Sequence, residues 1–200
     1  MPWYAWFVLG LLVLAGAFWL DASVQSWMLA HQTPRGLLVM HAISRWGDWP
    51  LHAAGGLVGA ALAYSLGRRD WAVIFAAMVL ACALAGVIGP IIKGATGRAR
   101  PSAKQTIGWI GPTWSQKHHA FPSGHTTSST AFFSALCLAR RKIGIPLLAI
   151  PALVATSRLY LNAHYLSDVT FGAMLGFCCA IIVWRVVRQL AFSAEGANQF

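Results

Sequence analysis

Six long apolar runs separated by short polar connections dominate the chain, and each run is close to the length of a bilayer crossing. The predicted spans cover about residues 3–20, 49–66, 71–92, 121–139, 143–161 and 169–187, against the ~20 residues that a helix needs to cross a ~30 Å hydrocarbon core. Trp3, Tyr4, Trp6 and Trp19 are placed as interface anchors of the first run. That run lacks the Lys or Arg that opens a signal peptide. Gly55 and Gly59 give the second run a small-x3-small packing face, and Gly89-Pro90 predicts a kink near the end of the third. Pro146 and Pro151 interrupt the fifth, which a membrane helix tolerates where neighbours satisfy the freed carbonyls. Residues 21–48 instead repeat apolar side chains at steps of three and four, among them Val24, Trp27, Met28, Leu37 and Met40, which predicts one or two interfacial amphipathic helices. The last ten residues, 191–200, read as a frayed tail. The expected fold is all-α: a polytopic membrane protein, a six-helix transmembrane bundle with interfacial helices between its first two spans, in a single domain of residues 1–200.

Composition agrees with this pattern. Of 200 residues, 58% are hydrophobic and 10% charged, where a soluble domain carries about 25% charged residues. A net charge of +10 would point to nucleic acid in a soluble protein. Here the basic residues sit between apolar runs, so the expected partners are the phospholipid bilayer and an anionic substrate, with no nucleic acid. Cys82, Cys137, Cys178 and Cys179 all lie in apolar runs and read as small buried hydrophobes, not as a disulfide framework or metal site. Six spans put both termini on one side, together with the turns Arg68-Arg69 and Arg140-Arg141-Lys142 and the tail residues Arg185 and Arg188. The positive-inside rule makes that side the cytoplasm. The remaining polar connections then face the opposite, periplasmic or lumenal, side.

Those connections carry the chemistry. Residues 93–120 hold Lys93, Arg98, Arg100, Lys104 and Lys117 without one acid, an arrangement that wants an anion; Lys104 and Lys117 are assigned to lipid head groups. In Pro122-Ser123-Gly124-His125, Pro122 suits the first position of a helix. The backbone N–H groups of Ser123 and Gly124 would then form an anion site beside a titratable imidazole. The same letters are also ordinary turn and cap material. The hydroxyls from Thr126 to Thr130 should face protein or a water-filled pocket. In the third block, His164 and Asp168 are four residues apart and share a helical face. A carboxylate there can fix the tautomer of the imidazole and free its other nitrogen as a nucleophile. Lys93, Arg100 and Arg158 suit a group with several anionic oxygens, and phosphate fits best. Asp168 is the only acid on these loops, so the cations take the part that Mg²⁺ would otherwise play. His31, His41 and His52 lack the tight spacing of metal ligands.

The three blocks resemble the signature of the type-2 phosphatidic acid phosphatase superfamily, which also includes vanadium haloperoxidases. That signature runs Lys-x6-Arg-Pro, Pro-Ser-Gly-His and Ser-Arg-x5-His-x3-Asp. It is matched here by Lys93 with Arg100-Pro101, by Pro122-Ser123-Gly124-His125, and by Ser157-Arg158 with His164 and Asp168. The resemblance implies a membrane lipid phosphatase that works without cofactor or metal. His164 would attack phosphorus to give a phosphohistidine, with Asp168 orienting it. His125 would protonate the leaving oxygen and later activate water. Lys93, Arg100, Arg158 and the N–H groups of Ser123 and Gly124 would bind the phosphate oxygens. Undecaprenyl diphosphate is the first expected substrate. Phosphatidylglycerophosphate, phosphatidic acid and lipid A are alternatives, as are lipid phosphotransfer and, from a different class, a non-catalytic lipid-phosphate binder or transporter.

Overall fold

The computed structural model describes residues 2–103 and 108–197; Lys104 lies outside them, and so do the side chains of Trp3 and residues 191–200. The described chain is helical. Helices α1 (Trp3–Ala30), α2 (Pro34–Arg45), α3 (Trp49–Ser65) and α4 (Arg69–Thr96) precede an irregular connection with two short 3-10 turns. Helices α5 (Gly124–Ala139), α6 (Arg141–Leu147), α7 (Ala149–Tyr160) and α8 (Leu166–Ala197) follow it. Four stretches are long and apolar enough to cross a membrane: Tyr4–Ala30, Arg69–Thr96, Arg141–Tyr160 (α6 and α7 together) and Leu166–Leu190. At 17 and 16 residues, α3 and α5 are shorter, near 25 Å at 1.5 Å per residue.

Several elements differ from the sequence expectation. Helix α1 does not stop at residue 20 but runs on to Ala30, which leaves α2 as the one separate helix of the 21–48 segment. Thr33 caps α2 by accepting the Gly36 N–H, and Pro34 occupies its first turn. Helix α8 likewise continues to Ala197, into the stretch expected to fray. The fifth apolar run divides at Leu148, whose N–H reaches the carbonyls of Gly144 and Ile145 just beyond Pro146. Pro151 falls in the first turn of α7, where a missing N–H costs no helical bond.

Helix α5 is the centre of the bundle, enclosed by α3, α4, α6, α7 and α8. This explains its composition. Thr126, Thr127, Ser128 and Ser129 are all buried, and their hydroxyls find protein partners. Thr127 donates to the Ser123 carbonyl at 2.7 Å, Ser128 to the Gly124 carbonyl at 2.9 Å, and Ser129 pairs with His52 at 2.9 Å. A core of Ile74, Met78, Ala81, Ala131, Phe132 and Cys179 joins α4, α5 and α8. In lipid such packing depends on close backbone approach more than on water exclusion. Gly176 provides it: a Cβ there would lie 2.4 Å from the Thr127 carbonyl oxygen. On α3 the packing glycines are Gly56, against Val79 and Phe132, and Gly59, against Phe75, whereas Gly55 faces open space. Of the expected Gly55/Gly59 face, Gly59 packs and Gly56 takes the place of Gly55.

The two basic turns meet at one end of the bundle. Arg140 pairs with Asp70 at 2.9 Å and lies over the Trp71 ring. Helix α4 carries the chain from that end to the other, where Lys93, the start of α5, the end of α7 and the start of α8 come together.

Candidate active site

Helix α4 delivers Lys93 in its last turn and ends at Gly97, which adopts a left-handed conformation with φ 60°. A Cβ at Gly97 would lie 2.0 Å from the Gly111 carbonyl oxygen, so the reversal requires glycine. Beyond it the chain pairs Arg98 with Trp109 in a short antiparallel bridge. The Lys93 ammonium donates to the His119 carbonyl at 2.9 Å. Arg158, in the last turn of α7, donates through Nη1 to Ser44 Oγ at 2.6 Å. The Nε atoms of Arg100 and Arg158 are buried with no hydrogen-bond partner among the described residues. Buried donors are nearly always paired, so two orphaned guanidinium N–H groups mark the place of an anionic acceptor.

Helix α5 begins two residues later than a Pro122-led helix would. Ser123 is its N-cap residue and Gly124 its first helical residue. The Ser123 N–H is also committed, donating to the Asp168 carbonyl at 3.0 Å. Ser123 therefore does not offer the backbone donor expected of it; it ties α5 to the start of α8. The first-turn donors of the helix are the N–H groups of Gly124 and His125.

His164 sits buried in the connection between α7 and α8. Its Nδ1 lies 2.7 Å from the Ala120 carbonyl oxygen. A carbonyl only accepts, so the neutral ring carries its proton on Nδ1 and leaves the Nε2 lone pair available. Asp168 Oδ2 stands 3.6 Å from the same nitrogen, beyond hydrogen-bond range. The carboxylate thus acts on His164 as a nearby charge, and the backbone carbonyl fixes the tautomer. Burial pushes the His164 pKa down to about 4; Lys93 and Arg158 press in the same direction, and Asp168 opposes them.

Asp168 itself is held by a network that the sequence did not reveal. Its Oδ2 accepts the Tyr165 N–H at 2.8 Å, which caps α8. Its Oδ1 accepts Arg98 Nη1 at 2.5 Å, and Arg98 Nη2 donates to Asp21 of α1 at 2.6 Å. Ser167 links the same groups, donating to Asp21 Oδ2 at 2.6 Å and accepting from Arg98 at 2.6 Å. The guanidinium also lies over the rings of Tyr165, Trp109 and Phe18 at 4.4, 4.9 and 5.3 Å. Arg98, read from the sequence as part of an unneutralised basic loop, is therefore buried and paired with two carboxylates. Its carbonyl accepts the Ala120 N–H at 3.0 Å. One residue consequently steadies both the carbonyl and the carboxylate beside His164.

On the other side, His125 Nε2 lies 2.7 Å from Asp48 Oδ1, in the turn between α2 and α3. Neither Asp21 nor Asp48 was singled out as a site residue. The available signal was scarcity: the chain has five acids, and an acid next to an apolar span of a membrane protein is costly enough to need a reason. Next to His125 a cavity of about 460 Å³ opens between α3, α4 and α5. Lys93, Gly124 and His125 form its polar end, and Cys82, Ala85, Gly86 and Gly89 extend it along one face of α4. These α4 positions recur at helical spacing, and their small side chains leave the groove its width.

A bundle of apolar helices with cations, two histidines and a helix N-terminus gathered at one end marks an integral membrane protein with a candidate anion site. The family model of the PAP2 superfamily matches residues 71–191, and the chain belongs to that superfamily. It is 33% identical over 118 residues to a lipid A 1-phosphatase of Rhizobium etli, covering 56% of this chain and 51% of that protein. The chain thus spans about half the length of the lipid A 1-phosphatases it matches. It is 36% identical over 155 residues to a decaprenylphosphoryl-5-phosphoribose phosphatase of Mycobacterium tuberculosis, covering 75% of this chain and 80% of the relative. Among solved structures it resembles a PAP2-type phosphatidylglycerolphosphate phosphatase of Bacillus subtilis, with a TM-score of 0.72 and 19% identity over 93% of this chain and 96% of that one. Aquifex aeolicus LpxE is similar at a TM-score of 0.57 and 17% identity, over 83% and 95%.

Proposed function

We propose that the chain is a single membrane-embedded phosphatase domain that hydrolyses a phosphate or diphosphate carried by a membrane lipid, without a metal ion. The observation that carries this reading is the pair of orphaned Nε donors on Arg100 and Arg158, in the same constellation as an imidazole whose nucleophilic nitrogen is set free by the Ala120 carbonyl. Helices α1, α3, α4, α5, α6 with α7, and α8 make the six crossings. The enclosure of α5 within the bundle lets so short and polar a helix insert. The basic turns face the cytoplasm and the site faces the periplasm, in an inner membrane.

In this mechanism Lys93, Arg100, Arg158 and the N–H groups of Gly124 and His125 hold the non-bridging phosphate oxygens, where their positive charge offsets the charge of the transition state. The His164 Nε2 lone pair attacks phosphorus. The bond to the leaving oxygen breaks, and His125 gives that oxygen a proton. Water then attacks the phosphohistidine and passes its proton to His125. The P–N bond breaks, and inorganic phosphate leaves.

The lipid chain lies in the groove along α4, which favours a single slender chain. The relative of which the chain covers 80% is named for a decaprenyl-linked substrate, and a polyprenyl carrier suits both observations. Undecaprenyl diphosphate is the specific substrate proposed. The test is phosphate release in detergent with EDTA present, from undecaprenyl diphosphate, a decaprenylphosphoryl pentose phosphate, phosphatidylglycerophosphate, phosphatidic acid and lipid A. The expected result is release in EDTA with the polyprenyl lipids first. Preference for a two-chain lipid would overturn the substrate assignment, and no release from any of them would overturn the phosphatase reading.

A further inference from the structure

We propose that Asp48 is the positioning residue of the general acid: its carboxylate accepts the Nε2–H of His125, favours a proton on that imidazole against burial and three cations, and leaves Nδ1 as the atom that exchanges the proton. The inference rests on the reading of His125 as proton donor and extends it to a residue outside the family-matched segment 71–191.

Three observations support it. First, Asp48 stands at the N-cap position of α3, yet its side chain makes no bond to that helix. An aspartate there ordinarily accepts a first-turn N–H. This one turns instead to His125, at 2.7 Å.

Second, the whole α2–α3 turn is seated on the site. Ser44 Oγ receives Arg158 Nη1 at 2.6 Å, and the Gly47 carbonyl receives the Ser128 hydroxyl at 3.2 Å. A Cβ on Gly47 would lie 2.5 Å from Val154 Cγ1 and 3.0 Å from His125 Cβ, so only glycine allows the turn this close to the imidazole.

Third, the charges that act on the His125 ring are Arg158 from α7, Lys93 from α4, Arg100 from the α4–α5 connection, and Asp48. Burial and the first three disfavour a proton on the ring, and Asp48 is the charge that works against them. In the first step the Nδ1 proton of the imidazolium moves to the leaving oxygen as the P–O bond breaks. In the second, Nδ1 takes a proton from the attacking water. The Nε2–H stays on Asp48 throughout.

The experiment uses the full-length protein in detergent and compares kcat/KM for two phosphate monoesters, one with an alkyl alcohol and one with p-nitrophenol as leaving group. A good leaving group needs little protonation. Asp48→Asn is expected to lower kcat/KM about 10- to 100-fold for the alkyl ester, with a clearly smaller loss for the p-nitrophenyl ester. It is also expected to move the alkaline limb of the pH profile down by about one unit. Asp48→Glu should recover part of both effects. The double variant Asp48→Asn/His125→Ala should be no slower than His125→Ala alone.

Equal losses with both esters, or an unmoved alkaline limb, would reduce Asp48 to a structural residue and overturn the proposal. His125→Ala is the control for the parent reading. If it discriminates between the esters and Asp48→Asn does not, only the Asp48 assignment falls. If His125→Ala does not discriminate either, the general-acid reading falls with it.

Discussion

The His164 imidazole gives its Nδ1–H to the Ala120 carbonyl at 2.7 Å, while the Asp168 carboxylate stands 3.6 Å from the same nitrogen. The tautomer is thus set by a main-chain atom that no side-chain substitution removes. Asp168→Asn should therefore keep the nucleophilic nitrogen in place and lose the charge that stabilises the developing positive ring. The expected loss in kcat is about 10- to 100-fold, with the phosphoenzyme still detectable by alkaline trapping of labelled phosphate. Complete loss of the phosphoenzyme would show that the carboxylate, not the carbonyl, controls the ring.

His164→Ala should abolish phosphoenzyme and turnover while lipid binding is largely kept, since the cations remain. Binding is read from co-purified or titrated lipid phosphate and turnover from phosphate release. Retained turnover would remove His164 as nucleophile. A wild-type protein that binds without turnover would favour the non-catalytic binder.

Arg98→Met should be among the most destabilising substitutions. It leaves Asp21 and Asp168 buried without their common partner, a loss of about 3–5 kcal/mol. That corresponds to roughly 10 °C in the melting temperature of a domain this size. Arg98→Lys should recover little, because one ammonium cannot reproduce a planar fork bonded to two carboxylates. Thermal unfolding in detergent measures both.

The His164 pKa, pushed down to about 4, sets a pH dependence with a definite sign. The unfolded chain takes up a proton near pH 6.5, which the folded site refuses until about pH 4. Stability present above pH 6.5 is therefore lost as the pH falls through this window, by up to about 3 kcal/mol. His164→Gln should flatten that part of the melting-temperature profile. A wild-type profile with no slope between pH 6.5 and 4 would contradict the assignment. By the same argument His164 stays neutral as a nucleophile across physiological pH, so the acidic limb of kcat/KM should lie near 4.

Gly86 lines the α4 groove, and a Cβ there meets nothing within 4 Å. Gly86→Leu should fill the groove without disturbing the helix. The expected outcome is a KM at least tenfold higher for a long-chain lipid phosphate, and a much smaller change for a short soluble phosphate ester. Leucine adds about three buried carbons' worth of competition at ~0.8 kcal/mol each, enough for that factor. Equal changes for both substrates would mean that the lipid chain lies elsewhere.

The sequence by itself determined the membrane class, because long apolar runs with polar joints need no tertiary information to be read. It also put the candidate site residues at one end of the expected bundle. Lys93, Arg100, His125, Arg158 and His164 sit next to helix ends, and a bundle of antiparallel helices gathers alternate ends whatever its packing. The tertiary structure decided who partners whom. Asp21, Arg98 and Asp168 are 77 and 70 residues apart along the chain, and Asp48 meets His125 across a similar distance. Such pairings leave no local periodicity. The start of α5 at Gly124, which diverts the Ser123 N–H to Asp168, followed from the approach of α8. The turn before α3 was legible only as a polar stretch. Packing against Val154 and His125, permitted by Gly47, made it a wall of the site.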